Sequence, residues 1–82
     1  MSNGNLESVH SVEITNRSPG RIKVYVEPWG EEYELQSMDC IRVEITGPAG
    51  RAIPISYSEN SVVVEGWEGS VAAVWKDGVH VN

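Results

Sequence analysis

The chain has 82 residues, of which 40% are hydrophobic, and a formal net charge of −6. This length suits one domain with one modest core, and no apolar stretch approaches the ~20 residues of a membrane-spanning helix. The six basic residues are scattered. Because phosphate binding takes clustered Lys and Arg, we expect neither nucleic acid nor a membrane as a partner.

The chain begins with a polar segment. Residues 1–8 lack the basic and apolar stretches of a signal peptide. We therefore expect a flexible N-terminal tail over residues 1–8 and a single β-sandwich domain over residues 9–82. The single Cys40 cannot form an internal disulfide, and we expect it to be a buried thiol in a strand. Both features favour a cytoplasmic location.

Alternation of apolar and polar residues with a period of two defines the strands of the first half. A less regular candidate covers residues 32–36. In each regular run the aliphatic side chains fall on one face, as in a half-buried antiparallel strand. We expect these aliphatics to form the centre of the core: Val12, Ile14, Ile22, Val24, Val26, Ile41, Val43 and Ile45.

The second half predicts shorter strands, over residues 53–57, 61–65, 70–75 and 79–81. Turn clusters separate them, including residues 47–50, and Asp77-Gly78 indicates a tight type I′ hairpin. Pro54 lacks an amide proton, which places its strand at a sheet edge or on a bulge. Trp75 follows Val71 and Ala73 at a period of two, so we expect it in the core.

The fold class follows from these elements. Strands recur every 8–12 residues, and no window shows the apolar stripe of a helix. We predict an all-β protein, a small antiparallel β-sandwich of six to eight short strands. Its topology is immunoglobulin-like or cupredoxin-like, and the sequence does not decide between the two.

Two segments of the chain resemble each other. Residues 24–29 and 62–67 match at four of six positions, 38 residues apart. Each is a strand that ends in Glu, followed by a turn that carries Trp. The similarity indicates either a repeat or two hairpins of convergent pattern. If the two strands run the same way, Trp29 and Trp67 lie at the same end of the molecule.

These segments supply the candidate partner-binding residues, namely Trp29, Trp67, Glu27 and Glu65. A tryptophan held on a turn offers a large contact area at low entropic cost. The alternative is that each indole folds back and plugs one end of the sandwich. The acidic residues 27, 31, 32 and 34 are interpreted as a solvated face rather than a calcium loop.

No motif for a metal, a cofactor or catalysis is present. His10, His80, Cys40 and Met38 are ligand types of a blue-copper site, but Cys40 lies in mid-chain with neither His near it. Phosphate-binding, dinucleotide-binding and nucleophile-elbow signatures are missing. We therefore expect no metal and no cofactor, and we expect each His to face solvent or to form cross-strand hydrogen bonds.

The sequence thus predicts a non-enzymatic binding or protein-interaction module whose partner is a protein. The alternative is a homo-oligomeric assembly subunit, since a small open sandwich has edges that self-association would cover. A small enzyme or a ligand-binding accessory domain is a weaker alternative, because a chain of this length without a catalytic set rarely builds a shielded pocket.

Overall fold

The computed structural model describes residues 7–48 and 52–82, and within them it shows eight strands and no helix. No helix that could cross a membrane is therefore found in these two ranges. The strands are β1 (Glu7–Thr15), β2 (Ile22–Glu27), β3 (Glu31–Leu35), β4 (Cys40–Pro48), β5 (Ile55–Ser58), β6 (Ser61–Glu65), β7 (Val71–Lys76) and β8 (Val79–His80).

The eight strands form two four-stranded sheets, and the fold is a small β-sandwich. The first sheet has the order β1-β4-β7-β8 and the second the order β3-β2-β6-β5. All neighbouring strands are antiparallel except β2 and β6, which are parallel. The second sheet is therefore mixed, whereas the sequence predicts only antiparallel pairs.

Both sheets contribute to one core. The predicted alternation holds in β2 and β4, where every second residue faces inward. Val12, Ile14 and Ile22 face inward but are only half-buried. The fully buried cluster adds residues that the sequence analysis did not select, such as Leu35. Its members are Val24, Val26, Leu35, Ile41, Val43, Ile45, Val62, Val64 and Val74.

The prediction that Trp75 belongs to the core is wrong. In the β4–β7 register Val74 lies opposite Val43, so Val74 faces inward and Trp75 faces outward. The Arg42 guanidinium lies 4.1 Å from the centre of the Trp75 ring, a cation–π contact. Residues 71–75 are apolar on both faces, so period alone could not fix which face is buried.

The two histidines occupy different surroundings. His10 lies on the inward face of β1 and is half-buried, so it does not face solvent, which was one of the two roles expected for each His. His80 is exposed, and its ring stacks on Trp75 at 5.1 Å. Cys40, expected to be buried, is a half-buried free thiol at the start of β4.

The predicted turn at Asp77-Gly78 is confirmed, whereas Gly47 and Pro48 of the predicted 47–50 turn belong to β4. Asp77 and Gly78 both have positive φ, at 49° and 85°, as the predicted type I′ turn requires. β1 begins at Glu7, two residues before the expected start of the domain. The rest of the predicted tail, residues 1–6, lies outside the described residues, and so do residues 49 and 50 of the predicted 47–50 turn and the next residue, 51.

Candidate functional site

The two similar segments lie side by side in the second sheet. β2 and β6 pair in parallel with Val24 opposite Val62 and Glu27 opposite Glu65, the same alignment that the sequence similarity gives. The amide of Gly66 donates to the carbonyl of Glu27 at 2.7 Å. Trp29 and Trp67 therefore follow strands that end at the same level, and the prediction that they share one end of the molecule is confirmed.

Trp67 closes this end of the sandwich. Its ring is half-buried against the core, and its Nε1 donates to the carbonyl of Pro48 at 3.0 Å. The ring of His10 meets it edge-on at 5.6 Å. The Nε2 of His10 is buried and has no hydrogen-bond partner among the described residues. Trp67 thus fits the plug interpretation better than the contact interpretation.

Trp29 is the more accessible of the two tryptophans, with 37% of its surface exposed. Its six-membered ring lies over Gly66, so close that a Cβ at position 66 would be 2.3 Å from the Trp29 Cη2. Glycine at position 66 is therefore what allows the indole to lie flat on this end. The two tryptophans present one exposed ring rather than a joint pair.

Glu27 and Glu65 are adjacent on the outer face of the second sheet. Two like charges on neighbouring strands repel each other, and such a pair attracts a cation. The structure nevertheless shows no group of three or more His, Cys, Asp or Glu that could hold a metal ion within residues 7–48 and 52–82. The carboxylates alone do not make a built site.

An opening lies on one side of the sandwich, between β1 of the first sheet and β5 of the second. We call it the β1–β5 groove. It has a volume of about 490 Å³ and an apolar floor made by Val12, Ile14, Ile22 and Val62. Its charged rim residues are Glu13, Arg17 and Glu59.

Two residues of β5 make this groove an accessible apolar surface. Ile55 and Tyr57 lie opposite the buried Val64 and Val62, so they point to the inner side of the sheet. They nevertheless remain 40% and 81% exposed, because β5 is an edge strand that the first sheet does not cover. A side chain of a partner could replace the solvent there.

Pro54 predicted a strand at a sheet edge or on a bulge, and the sheet order places β5 at the edge. The sequence analysis did not identify Ile55 and Tyr57 as site residues. Their alternation with Ser56 and Ser58 was a usable signal. The sequence does not show which strands are neighbours in space, and only the fold shows that the inner side of β5 is left exposed.

Comparison with protein-family models, with curated proteins and with solved structures finds no match for this chain.

Proposed function

We propose that this chain is a non-enzymatic protein-interaction module and that the β1–β5 groove receives an extended segment of its partner. The observation that carries the proposal is the exposure of Ile55 and Tyr57 on the inner side of their sheet, 40% and 81% respectively. Apolar side chains in that position lie above the groove floor without a covering layer. Burying a fully exposed apolar side chain favours association by about 1.5–3 kcal/mol, so Tyr57 contributes more than Ile55, which is already partly buried.

The shape of the groove favours an extended segment over a helix or a small molecule. Its two walls are edge strands, and the edge of a sheet binds an added strand through main-chain hydrogen bonds while alternate side chains fill the adjoining pockets. The period of two along Ile55 and Tyr57 matches such a ligand. A binding role also fits the lining, which includes no His and no Cys among its described residues.

The expected partner is a protein. The proposal keeps Trp29 with Glu27 and Glu65 as a second, smaller contact surface, because the exposed ring and the two carboxylates lie at the same end of the second sheet. A cytoplasmic location remains part of the proposal, and its support is the single cysteine of the chain.

A library of random peptides displayed on phage tests the proposal against dilute immobilised protein. We expect enrichment of peptides with apolar residues at alternate positions. Tyr57→Ser should weaken the binding of a selected peptide by about tenfold to a hundredfold, since that variant removes the largest exposed apolar side chain of the groove. Val79→Ser is the matched control, because Val79 is also exposed (63%) but lies on β8, away from the groove.

Binding that Tyr57→Ser leaves unchanged would contradict the groove as the site. Failure to select any peptide with the alternating pattern would contradict the proposed function as a whole. Isothermal titration with one synthetic selected peptide gives the dissociation constants for this comparison.

A further inference from the structure

The outer edge of β5 offers main-chain groups in a defined pattern. Antiparallel residues alternate between hydrogen-bonded and non-hydrogen-bonded pairs. The amide of Glu65 donates to the carbonyl of Pro54 at 3.1 Å, so Pro54, Ser56 and Ser58 direct their main-chain groups toward β6. It follows that Ile55 and Tyr57 direct theirs outward, where no described strand pairs with them.

Pro54 therefore does not protect this edge. Its missing amide proton is on the β6 side of the strand, where it removes one bond of the existing ladder. The outward amides of Ile55 and Tyr57 remain available, and so do the two carbonyl groups of the same residues. The edge of β5 can form four main-chain hydrogen bonds with an added strand.

Charge distinguishes β5 from the other edge strands. β3 carries three carboxylates in five residues, β1 carries Glu7 and Glu13, and β8 has only two residues. Charged side chains and short length are the usual protection of an edge against pairing with another copy. β5 has the sequence Ile-Ser-Tyr-Ser and no charge, so an acidic chain can approach another copy of itself here without opposing carboxylates.

We propose that the occupant of this edge is a second copy of the chain, paired antiparallel through β5 about a two-fold axis, with Ser56 opposite Ser56 of the second copy. In this register Ile55 of each copy lies opposite Tyr57 of the other copy. These two pairs are the hydrogen-bonded pairs. All four outward main-chain groups of each copy are then satisfied. The proposal deepens the proposed function by naming the partner of the β1–β5 groove.

The register also separates the charges that follow β5. Glu59 lies three residues from the two-fold axis, so the two copies of this carboxylate are about 20 Å apart along the strands. This distance exceeds the ~8 Å Debye length at physiological salt. The paired strands are short, with four residues each, so we expect a weak dimer whose population depends on concentration.

Complementary substitutions at Ser56 test the pairing. The side chain of Ser56 is exposed on the outer face, and the axis would place position 56 opposite itself. Ser56→Lys or Ser56→Glu alone should therefore weaken dimerisation, because like charges come to lie directly opposite each other. A mixture of S56K and S56E should form a heterodimer about tenfold more tightly than either variant forms a homodimer. If the mixture dimerises where the single variants do not, both variants must be folded.

Sedimentation velocity from about 1 µM to about 1 mM chain provides the measurement. Ser11→Lys and Ser11→Glu are the matched controls, since Ser11 is an exposed serine on the outer face of β1. Their mixture should behave as the wild type does. A wild type that stays monomeric over the whole range would overturn the proposal, and so would a mixture of S56K and S56E that associates no better than its components.

The outcomes separate this inference from the proposed function. A monomeric wild type that binds alternating peptides through Tyr57 would leave the interaction module standing and refute only the second copy as its partner. A dimer that responds to position 56 supports the pairing whether or not a peptide competes for the groove.

Discussion

Asn16 is a buried polar side chain that connects two distant parts of the fold. It is 2% exposed, and its Nδ2 donates to the carbonyls of Gly20 and Leu35 at 2.8 and 3.0 Å. Its Oδ1 accepts from the amide and the hydroxyl of Ser18. One amide side chain thus ties the loop after β1 to the end of β3, and its own buried polar atoms are all hydrogen-bonded.

We expect Asn16→Ala to lower the free energy of unfolding by about 2–4 kcal/mol, because it removes all four hydrogen bonds of a buried side chain. Ser18→Ala is the control, since it removes the hydroxyl donor and keeps the amide donor to Asn16. The control should lose about 1 kcal/mol or less. Urea denaturation measures both, and an Asn16 variant no less stable than the Ser18 variant would contradict this role.

Residues 16–20, Asn-Arg-Ser-Pro-Gly, have a composition that is typical of a turn. Asn is common in turns because its side chain bonds to nearby backbone, and the bonds to Ser18 and Gly20 follow that rule. The bond to Leu35 spans 19 residues. Local chemistry therefore predicted the turn, but the burial of Asn16 depends on a contact that sequence spacing does not show.

At the scale of elements, alternation predicted a strand well wherever one of its faces is polar. β2 and β4 have charged or polar residues at every second position, so both the strand and its buried face follow from the pattern. β7 is apolar on both faces, and there the strand was found but its buried face was reversed. The similarity of β2 and β6 is compatible with their parallel pairing but does not determine it, because pairing direction depends on the connections between strands.

Val43 tests the buried face of β4. Its side chain is fully buried between the sheets, so Val43→Ala should lower the free energy of unfolding by roughly 1–3 kcal/mol through lost burial and a partial cavity. Val9→Ala is the control, since Val9 lies on the neighbouring β1 but is 60% exposed. The control should change stability by about 0.5 kcal/mol at most. Thermal melts that do not separate the two variants would contradict the assigned faces.

At the scale of the whole molecule, the two open sides of the sandwich differ. On the side of β1 and β5 lies the groove, with its exposed apolar residues. On the opposite side, Asn82 links the sheets: its Nδ2 donates to the Ala72 carbonyl at 3.0 Å and to the Glu31 carboxylate at 3.1 Å. Only the side that carries the proposed binding surface lacks such a link among the described residues.

Glu31 holds the second sheet to this link. It also accepts a hydrogen bond from the hydroxyl of Tyr33. Burial raises the pKa of the Tyr33 hydroxyl above its ordinary value, and the bond to Glu31 adds to the rise. The hydroxyl therefore keeps its proton and remains a donor to Glu31 throughout the neutral range. This leaves the carboxylate fixed in position for Asn82.

Asn82 joins the two sheets on the side where β3 and β8 are the edge strands. Asn82→Ala removes these hydrogen bonds and should lower the free energy of unfolding by about 1–2 kcal/mol. The variant also removes the acceptor for the Val74 amide, which Asn82 Oδ1 holds at 2.8 Å, so the exchange of that amide proton should become faster. Ser11→Ala, an exposed substitution on the outer face of β1, is the control and should alter neither quantity. Chemical denaturation gives the first quantity and hydrogen exchange followed by NMR gives the second. Unchanged exchange at Val74 in the Asn82 variant would show that the link does not hold the β7 edge, and the difference between the two sides of the sandwich would then need another cause.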